Sequence, residues 1–343
     1  MRPGTRLRVF GCEPKGPRAA AAPRADPSRQ PPPRMQRLIE CVPNFSEGRD
    51  PAVLAAIRGA VAATPGTHVL DASADASHHR SVLTFVAAPE RAADAAFAGI
   101  AAARDLIDLR THAGAHPRIG AADVVPFVPL PARGTTMADC VALAHALGER
   151  VARDLAIPVY YYERAARRPD RANLADLRRG GFERLAAEIP ADPARAPDAG
   201  PARVHPTAGA VAIGARPFLV AFNVHLGPAA NLPVAKAVAR AVRERDGGLP
   251  GVKALGLLVD GQAQVSTNLV DLDRTTLAPA FDRVAAEAAA RGAEVTWSEL
   301  IGLLPEQALG GEAPERLAAR LRLRDFGPDR VLERRLARLT DGT

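Results

Sequence analysis

From residue 37 to residue 130 the apolar positions change period several times, and each change marks the edge of an element. Arg37–Val42 is a short β-type run and ends at the turn-forming pair Pro43-Asn44. Asp50–Ala63 has helical spacing, with Asp50 as cap, Pro51 at the first helical position and Pro65-Gly66 as the stop. His68–Asp71 and Ser81–Ala87 read as strands, Pro89–Leu109 as a helix and Asp123–Leu130 as a strand. The order is β-α-β-β-α-β, and a helix over Met137–Leu155 and the run Ile157–Tyr162 extend it.

The same order then returns. Phe218–His225 predicts a strand, Leu232–Arg245 a helix, Val252–Asp260 and Ala263–Leu272 two strands, Leu277–Arg291 a helix and Glu294–Trp297 a short strand. Two such units in tandem predict an α+β fold of two ferredoxin-like subdomains, each with helices on one face of an antiparallel sheet. The opposite faces are left to pack or to form a cleft, so a ligand site between the subdomains is expected. Between the units, Pro190–Gly214 is rich in Pro, Ala, Asp and Gly and reads as a linker or as a ligand-binding loop.

Composition narrows the class. In a chain of 343 residues, 47% of them apolar, there is material for one large core or two modest ones. No apolar run approaches the roughly 18–20 residues that span a bilayer, so a soluble protein is expected. The net charge of +7 would suggest nucleic acid, but its distribution argues otherwise. Eight basic side chains against Glu13 and Asp26 put +6 in residues 1–34, leaving +1 for the rest. That first segment also holds eight prolines and few large apolar residues, so it is expected to be disordered, with translation starting at Met35. Three scattered cysteines (Cys12, Cys41, Cys140) fit neither a disulfide framework nor a zinc motif and point to a reducing cytoplasm.

Chemistry concentrates in the loop Arg110-Thr-His-Ala-Gly-Ala-His-Pro-Arg-Ile-Gly120. His112 and His116 have the i, i+4 spacing of a metal pair on a helix, which would suit a metal-dependent hydrolase using them with His78 and His79. Gly114 and Pro117 oppose that helix, so the loop instead holds an imidazole, His116, fit for proton transfer near neutral pH. Arg118 suits a carboxylate or a structural ion pair. Polar groups also cluster in Glu40-Cys-Val-Pro-Asn-Phe-Ser-Glu-Gly48 (Asn44, Ser46, Glu47) and in Asp71–Arg80, which includes Asp75, His78 and His79. On the strands of the second unit stand Asn223 and the set Gln264, Ser266 and Asn268, which alternation places on one face.

These stretches, with His79-Arg-Ser-Val82, His112–Asp123, Ala221-Phe-Asn-Val224 and Ala263-Gln-Val-Ser-Thr-Asn-Leu269, occur here in the order seen in glutamate formimidoyltransferases. From about Gln36 onward the chain resembles the transferase domain of formimidoyltransferase-cyclodeaminase, and a stand-alone transferase is expected. The resemblance implies transfer of a formimidoyl group from N-formimidoyl-L-glutamate to N5 of tetrahydrofolate, a step of histidine breakdown. It implies folate in a tunnel between two ferredoxin-like subdomains, over residues 35–199 and 216–343, joined by a folate-binding junction at 200–215. It places the catalytic histidine on His116 and folate contacts on Gly200, Pro201, Ala202, Arg203, Val204, His205, Pro206, Thr207, Ala208 and Gly209. Asn44, Asp75, Arg80, Arg118, Asn223 and Asn268 are expected to bind substrate, with Arg80, Arg118 and Arg203 on the glutamate carboxylates. One departure concerns an acidic position two residues after Asp71, which is Ser73 here, with Asp75 as its expected stand-in. Tetrahydrofolate is expected as co-substrate, with no metal, no nucleic acid and no membrane partner, in a cytoplasmic homodimer. The readings still open are a formyl transferase acting on N-formylglutamate or 5-formyltetrahydrofolate, the metal-dependent hydrolase, and a non-catalytic folate-binding or nucleic-acid-binding protein.

Overall fold

A short cap starts the first helix where the sequence places it: the Asp50 carboxylate accepts from the backbone N–H of Ala52 at 2.8 Å. The computed structural model describes Met1, residues 36–114 and residues 116–340. The segment read as a disordered extension, and Met35 after it, lie outside the described residues. The first half runs β1 (Ile39–Cys41), β2 (Asn44–Phe45), α1 (Pro51–Ala62), β3 (Thr67–Asp75), β4 (Arg80–Ala87), α2 (Pro89–Leu106), β5 (Ala122–Pro129), α3 (Met137–Leu155), β6 (Val159–Glu163), α4 (Leu174–Leu177), α5 (Gly181–Glu188) and β7 (Val211–Ala215). The second runs β8 (Val220–Pro228), α6 (Leu232–Val242), β9 (Val252–Val259), β10 (Gln262–Leu269), α7 (Leu277–Ala289), β11 (Trp297–Ile301), α8 (Pro314–Leu321) and α9 (Leu332–Thr340).

β1 and β2 are two pieces of one strand position, split at Val42-Pro43, and both pair antiparallel with β4 and with β5. β3 lies outside β4, so the order across the sheet is β3, β4, β1/β2, β5. The second sheet is ordered β11-β8-β10-β9, again antiparallel throughout. In each sheet the fourth strand of the run lies beside the first, the first beside the third, and the third beside the second. The first sheet alone is then extended at β5 by β7 and β6, both parallel.

Several boundaries move from those expected. Asn44 sits in β2 instead of a turn, because its backbone reaches both neighbours once Pro43 has bent the chain. β3 continues through Asp75, paired with Arg80, so Asp71–Asp75 is strand and only 76–79 form the turn. The second helix ends at Leu106, and the last strand starts at Trp297, where it was expected to stop. The stretch Pro190–Gly214 is no plain linker: its end enters the sheet as β7.

Helices α1, α2 and α3 bury Ile57, Val61, Ile100 and Leu147 against Phe85, Val125, Phe127 and Ile213. A second core joins Phe222, Val224 and Val265 to Val238 of α6 and Phe281 of α7. Each large apolar side chain so buried contributes roughly 1.5–3 kcal/mol. The opposite face of the first sheet is covered at two places. Leu177 and Leu185, on α4 and α5, cover Tyr160 and Tyr162, and Leu332 and Leu336 of α9 pack on Leu38, Leu70 and Val86. By the two-residue alternation, Asn44 and Arg80 stand on that same face.

The described residues from Gln36 onward belong to one compact unit. Its halves touch at several rims. Ser77 donates to Asp260 in the β9–β10 turn, Lys253 Nζ lies 3.9 Å from Glu163 Oε1, and Arg330 Nη1 lies 3.5 Å from Asp71 Oδ1. No helix among the described residues is long and apolar enough to cross a membrane.

Candidate active site

The loop between α2 and β5 carries His116, and its glycines fix where it runs. A Cβ on Gly114 would lie 2.3 Å from the His78 carbonyl oxygen, and one on Gly120 only 1.8 Å from that of Ala210. The loop is therefore wedged between the β3–β4 turn and the approach to β7, at distances that exclude a side chain. Ser46 pins it further by donating to the Gly120 carbonyl at 2.7 Å. The Glu47 carboxylate accepts the backbone N–H groups of Gly48, Arg49 and Asp50, which hold its pKa down despite partial burial, and it takes His79 Nε2 at 3.2 Å.

His112 is consumed by this scaffold. Its Nδ1 accepts from Arg118 Nε at 3.0 Å, its Nε2–H donates to the His79 carbonyl at 2.9 Å, and its ring stacks on His79 at 4.1 Å. Both nitrogens are used, so His112 has no lone pair to offer a cation. Burial lowers its pKa and keeps it neutral.

His116 differs. Its Nδ1–H donates to the Pro117 carbonyl at 2.7 Å, which fixes the tautomer and leaves Nε2 as the lone-pair nitrogen. Desolvation, then the positive charges of Arg80 and Arg178, hold its pKa far below the ordinary histidine range. The His78 ring lies edge-on with centroids 6.2 Å away. His78 Nδ1–H in turn donates to Asp75 Oδ2 at 2.9 Å, and that carboxylate is brought down to about 2, chiefly by the same bond.

Beneath His116 lies a buried charge group centred on Asp123, which is fully enclosed. One oxygen accepts the Ile119 N–H at 2.9 Å; the other accepts Arg80 Nη1 at 2.6 Å and also Arg178 Nη2. Although burial pushes the Asp123 pKa up, Arg178 and Arg80 overcome it and bring it to about 2. Arg80 also donates from Nε and Nη2 to Asn44 Oδ1, at 3.1 and 2.7 Å. Tyr162 lies on the same face, its hydroxyl pushed up to about 12 by burial.

The expected substrate contacts therefore divide. Asn44 and Arg80 are brought to the site, where Arg80 joins Asn44 Oδ1 to Asp123. Arg118 is likewise committed, to His112 and to both oxygens of Glu183 at 3.0 and 2.8 Å. Arg203 is exposed on the junction. The junction itself is ordered by backbone pairing: His205 and Gly209 exchange hydrogen bonds of 2.8 and 3.0 Å, Leu109 N–H donates to Thr207 O at 2.9 Å, and Ala121 N–H to Ala208 O at 2.9 Å. It runs directly along the loop that bears His116.

On the second sheet, Asn223 Nδ2 donates to Glu299 Oε1 at 3.0 Å, and Gln264 Nε2 reaches the same oxygen at 3.3 Å. His225 stacks on Trp297 at 3.6 Å. Asn268, expected on a buried polar face, is exposed at the far end of β10. Sequence reasoning missed Arg178, whose partner Asp123 is 55 residues away.

Comparison with known proteins fits this arrangement. The model of the formiminotransferase domain's N-terminal subdomain matches residues 38–216, and that of the formiminotransferase domain matches residues 221–314. A glutamate formimidoyltransferase of Thermoplasma acidophilum is 46% identical over 303 residues, spanning 87% of this chain and 97% of that protein. One of Streptococcus pyogenes is 42% identical, spanning 80% and 91%. A formimidoyltransferase-cyclodeaminase of Sus scrofa is 43% identical over 80% of this chain, which accounts for 51% of the longer protein.

Proposed function

The chain belongs to the formiminotransferase family, and from that premise we propose that it moves the formimidoyl group of N-formimidoyl-L-glutamate to N5 of tetrahydrofolate, releasing L-glutamate. The observation that carries the chemistry is His116, with Nδ1 tied to the Pro117 carbonyl and Nε2 free, above the Arg80–Asp123–Arg178 group.

The reaction forms one N–C bond at N5 and breaks the C–N bond to glutamate. N5 must lose a proton, and the departing glutamate nitrogen must gain one. His116 Nε2 takes the first proton and returns it to the second site, a role that typically contributes about 10²–10⁴-fold. Holding both substrates in one cleft supplies much of the rest.

The fourth-first-third-second strand order of both sheets supports two ferredoxin-like subdomains, over 35–199 and 216–343. We place the folate between the sheet faces turned away from α1–α3 and from α6 and α7, against the junction 200–209. The pairing of that junction with the His116 loop supports a binding role over a linker role. The same reading puts the enzyme in the cytoplasm, where free, buried Cys41 and Cys140 would stay reduced.

A spectroscopic assay of transfer to tetrahydrofolate, with N-formylglutamate as a parallel donor, tests the proposal. Transfer from the formimidoyl donor is expected to exceed transfer from the formyl donor. Transfer from N-formylglutamate alone would replace this reading with the formyl transferase.

A further inference from the structure

Two buried guanidiniums share one carboxylate beside His116. The Arg80 and Arg178 side chains are only 10% and 12% exposed, and Asp123, their common partner, is 0% exposed. The group therefore carries one uncompensated positive charge in a poorly solvated place, where an anion is strongly favoured.

Of the two, Arg178 has more donors to spare: the bonds to Asp123 and Asn44 take three of the five N–H groups of Arg80, and that to Asp123 takes one of the five of Arg178. Arg80 commits Nη1 to Asp123 and both Nε and Nη2 to Asn44. Arg178 makes a single side-chain hydrogen bond among the described residues, from Nη2 to Asp123, and its Nε is buried without an acceptor. Arg118, on the His116 loop, is held by Glu183 and His112.

We propose that Arg178 binds a carboxylate of the glutamate-derived donor. The inference rests on the transferase reading above and names which side chain anchors its donor. A guanidinium with one edge fixed on Asp123 and the other edge free is preorganised for a carboxylate. The anchor also bears on the proton transfer. The groups acting on His116 are His78, Arg80, Arg178, Asp123 and the Pro117 carbonyl. A donor carboxylate on Arg178 cancels the excess positive charge among them and so favours the protonated imidazole, which must form during transfer. The donor thereby brings its own catalyst toward working basicity.

The test compares wild type with Arg178→Gln and Arg178→Lys. Calorimetric binding of N-formimidoyl-L-glutamate and of L-glutamate should weaken by about 10- to 100-fold in R178Q, the loss expected for one charge-assisted bond. The lysine variant should recover part of that loss, and tetrahydrofolate affinity should stay at the wild-type value. In steady state the donor KM should rise more than kcat falls, and the pH profile of kcat should shift with the charge. Unchanged donor binding in R178Q, or equal weakening of donor and folate, overturns the proposal; the second result would mark Arg178 as a mere support for Asp123. Should R178Q fail to fold, wild-type donor affinity in folded R178K would overturn it equally. Wild-type transfer is measured alongside: its absence would sink the transferase reading, whereas the binding arms still decide the role of Arg178.

Discussion

The two sheets share a strand order and differ in what they carry on the face turned away from α1–α3 in the first and from α6 and α7 in the second. The first sheet places three buried charges there, Arg80, Arg178 and Asp123, with His116 above them. The second places amides and a half-buried carboxylate, Glu299, around the His225–Trp297 stack. The first sheet also has two extra parallel strands, β7 and β6, which bring in the junction and α4. In the proposed reading, repetition of the strand order supplies the cleft and the chemistry comes from what one copy added. A repeated topology predicts where a ligand lies; it does not predict which half reacts with it.

Breaking the charge group should have the largest effect. Asp123→Asn leaves two guanidiniums without a counterion and should cost about 3–5 kcal/mol of stability in denaturant titration. The same carboxylate sets an acid limit. Its pKa falls from 3.8 unfolded to about 2 folded, so its stabilisation is present above the unfolded value and is lost as pH falls toward 2. That contribution is about 2 kcal/mol, and D123N should remove this part of the acid limb.

Gly120→Ala comes next. A methyl there meets the Ala210 backbone at 1.8 Å, so loop and junction must separate. Thermal unfolding should show a loss of about 1–3 kcal/mol, with folate affinity falling in parallel. Glu299→Gln, on the other sheet, should do least. Its side chain is 29% exposed, and Gln keeps an oxygen to accept from Asn223, Gln264 and His225, so a loss near 1 kcal/mol is expected. Transfer should change by no more than a few-fold. If E299Q abolished transfer instead, the division of labour between the sheets would be wrong.

Much of this was legible in the sequence, for reasons that can be named. The periods of Asp50–Ala63 and Leu277–Arg291 show the repeated element order because those helices bury one face, and Ser81–Ala87 shows it as a nearly unbroken apolar run because both its faces are covered. Pro117 and Gly114 show that His112 and His116 do not share a helix. β2 was not legible, since two residues carry no period. α9 was, in principle: Leu332 and Leu336 stand at i, i+4 among arginines. The roles of the arginines were not. Arg80 gave no sign of its partner and the structural ion pair open to Arg118 had none to name, because Asp123 and Glu183 lie 43 and 65 residues away. Arg178 is one of many Arg in this chain, and only its approach to Asp123 distinguishes it.

The central claim is that one imidazole on the first sheet's side of the cleft moves the proton. The most direct measurement is steady-state transfer by His116→Ala together with its equilibrium affinity for tetrahydrofolate. The expected result is a fall in kcat of about 10²–10⁴-fold, with folate binding at the wild-type level. Near wild-type turnover with folate binding retained would contradict it.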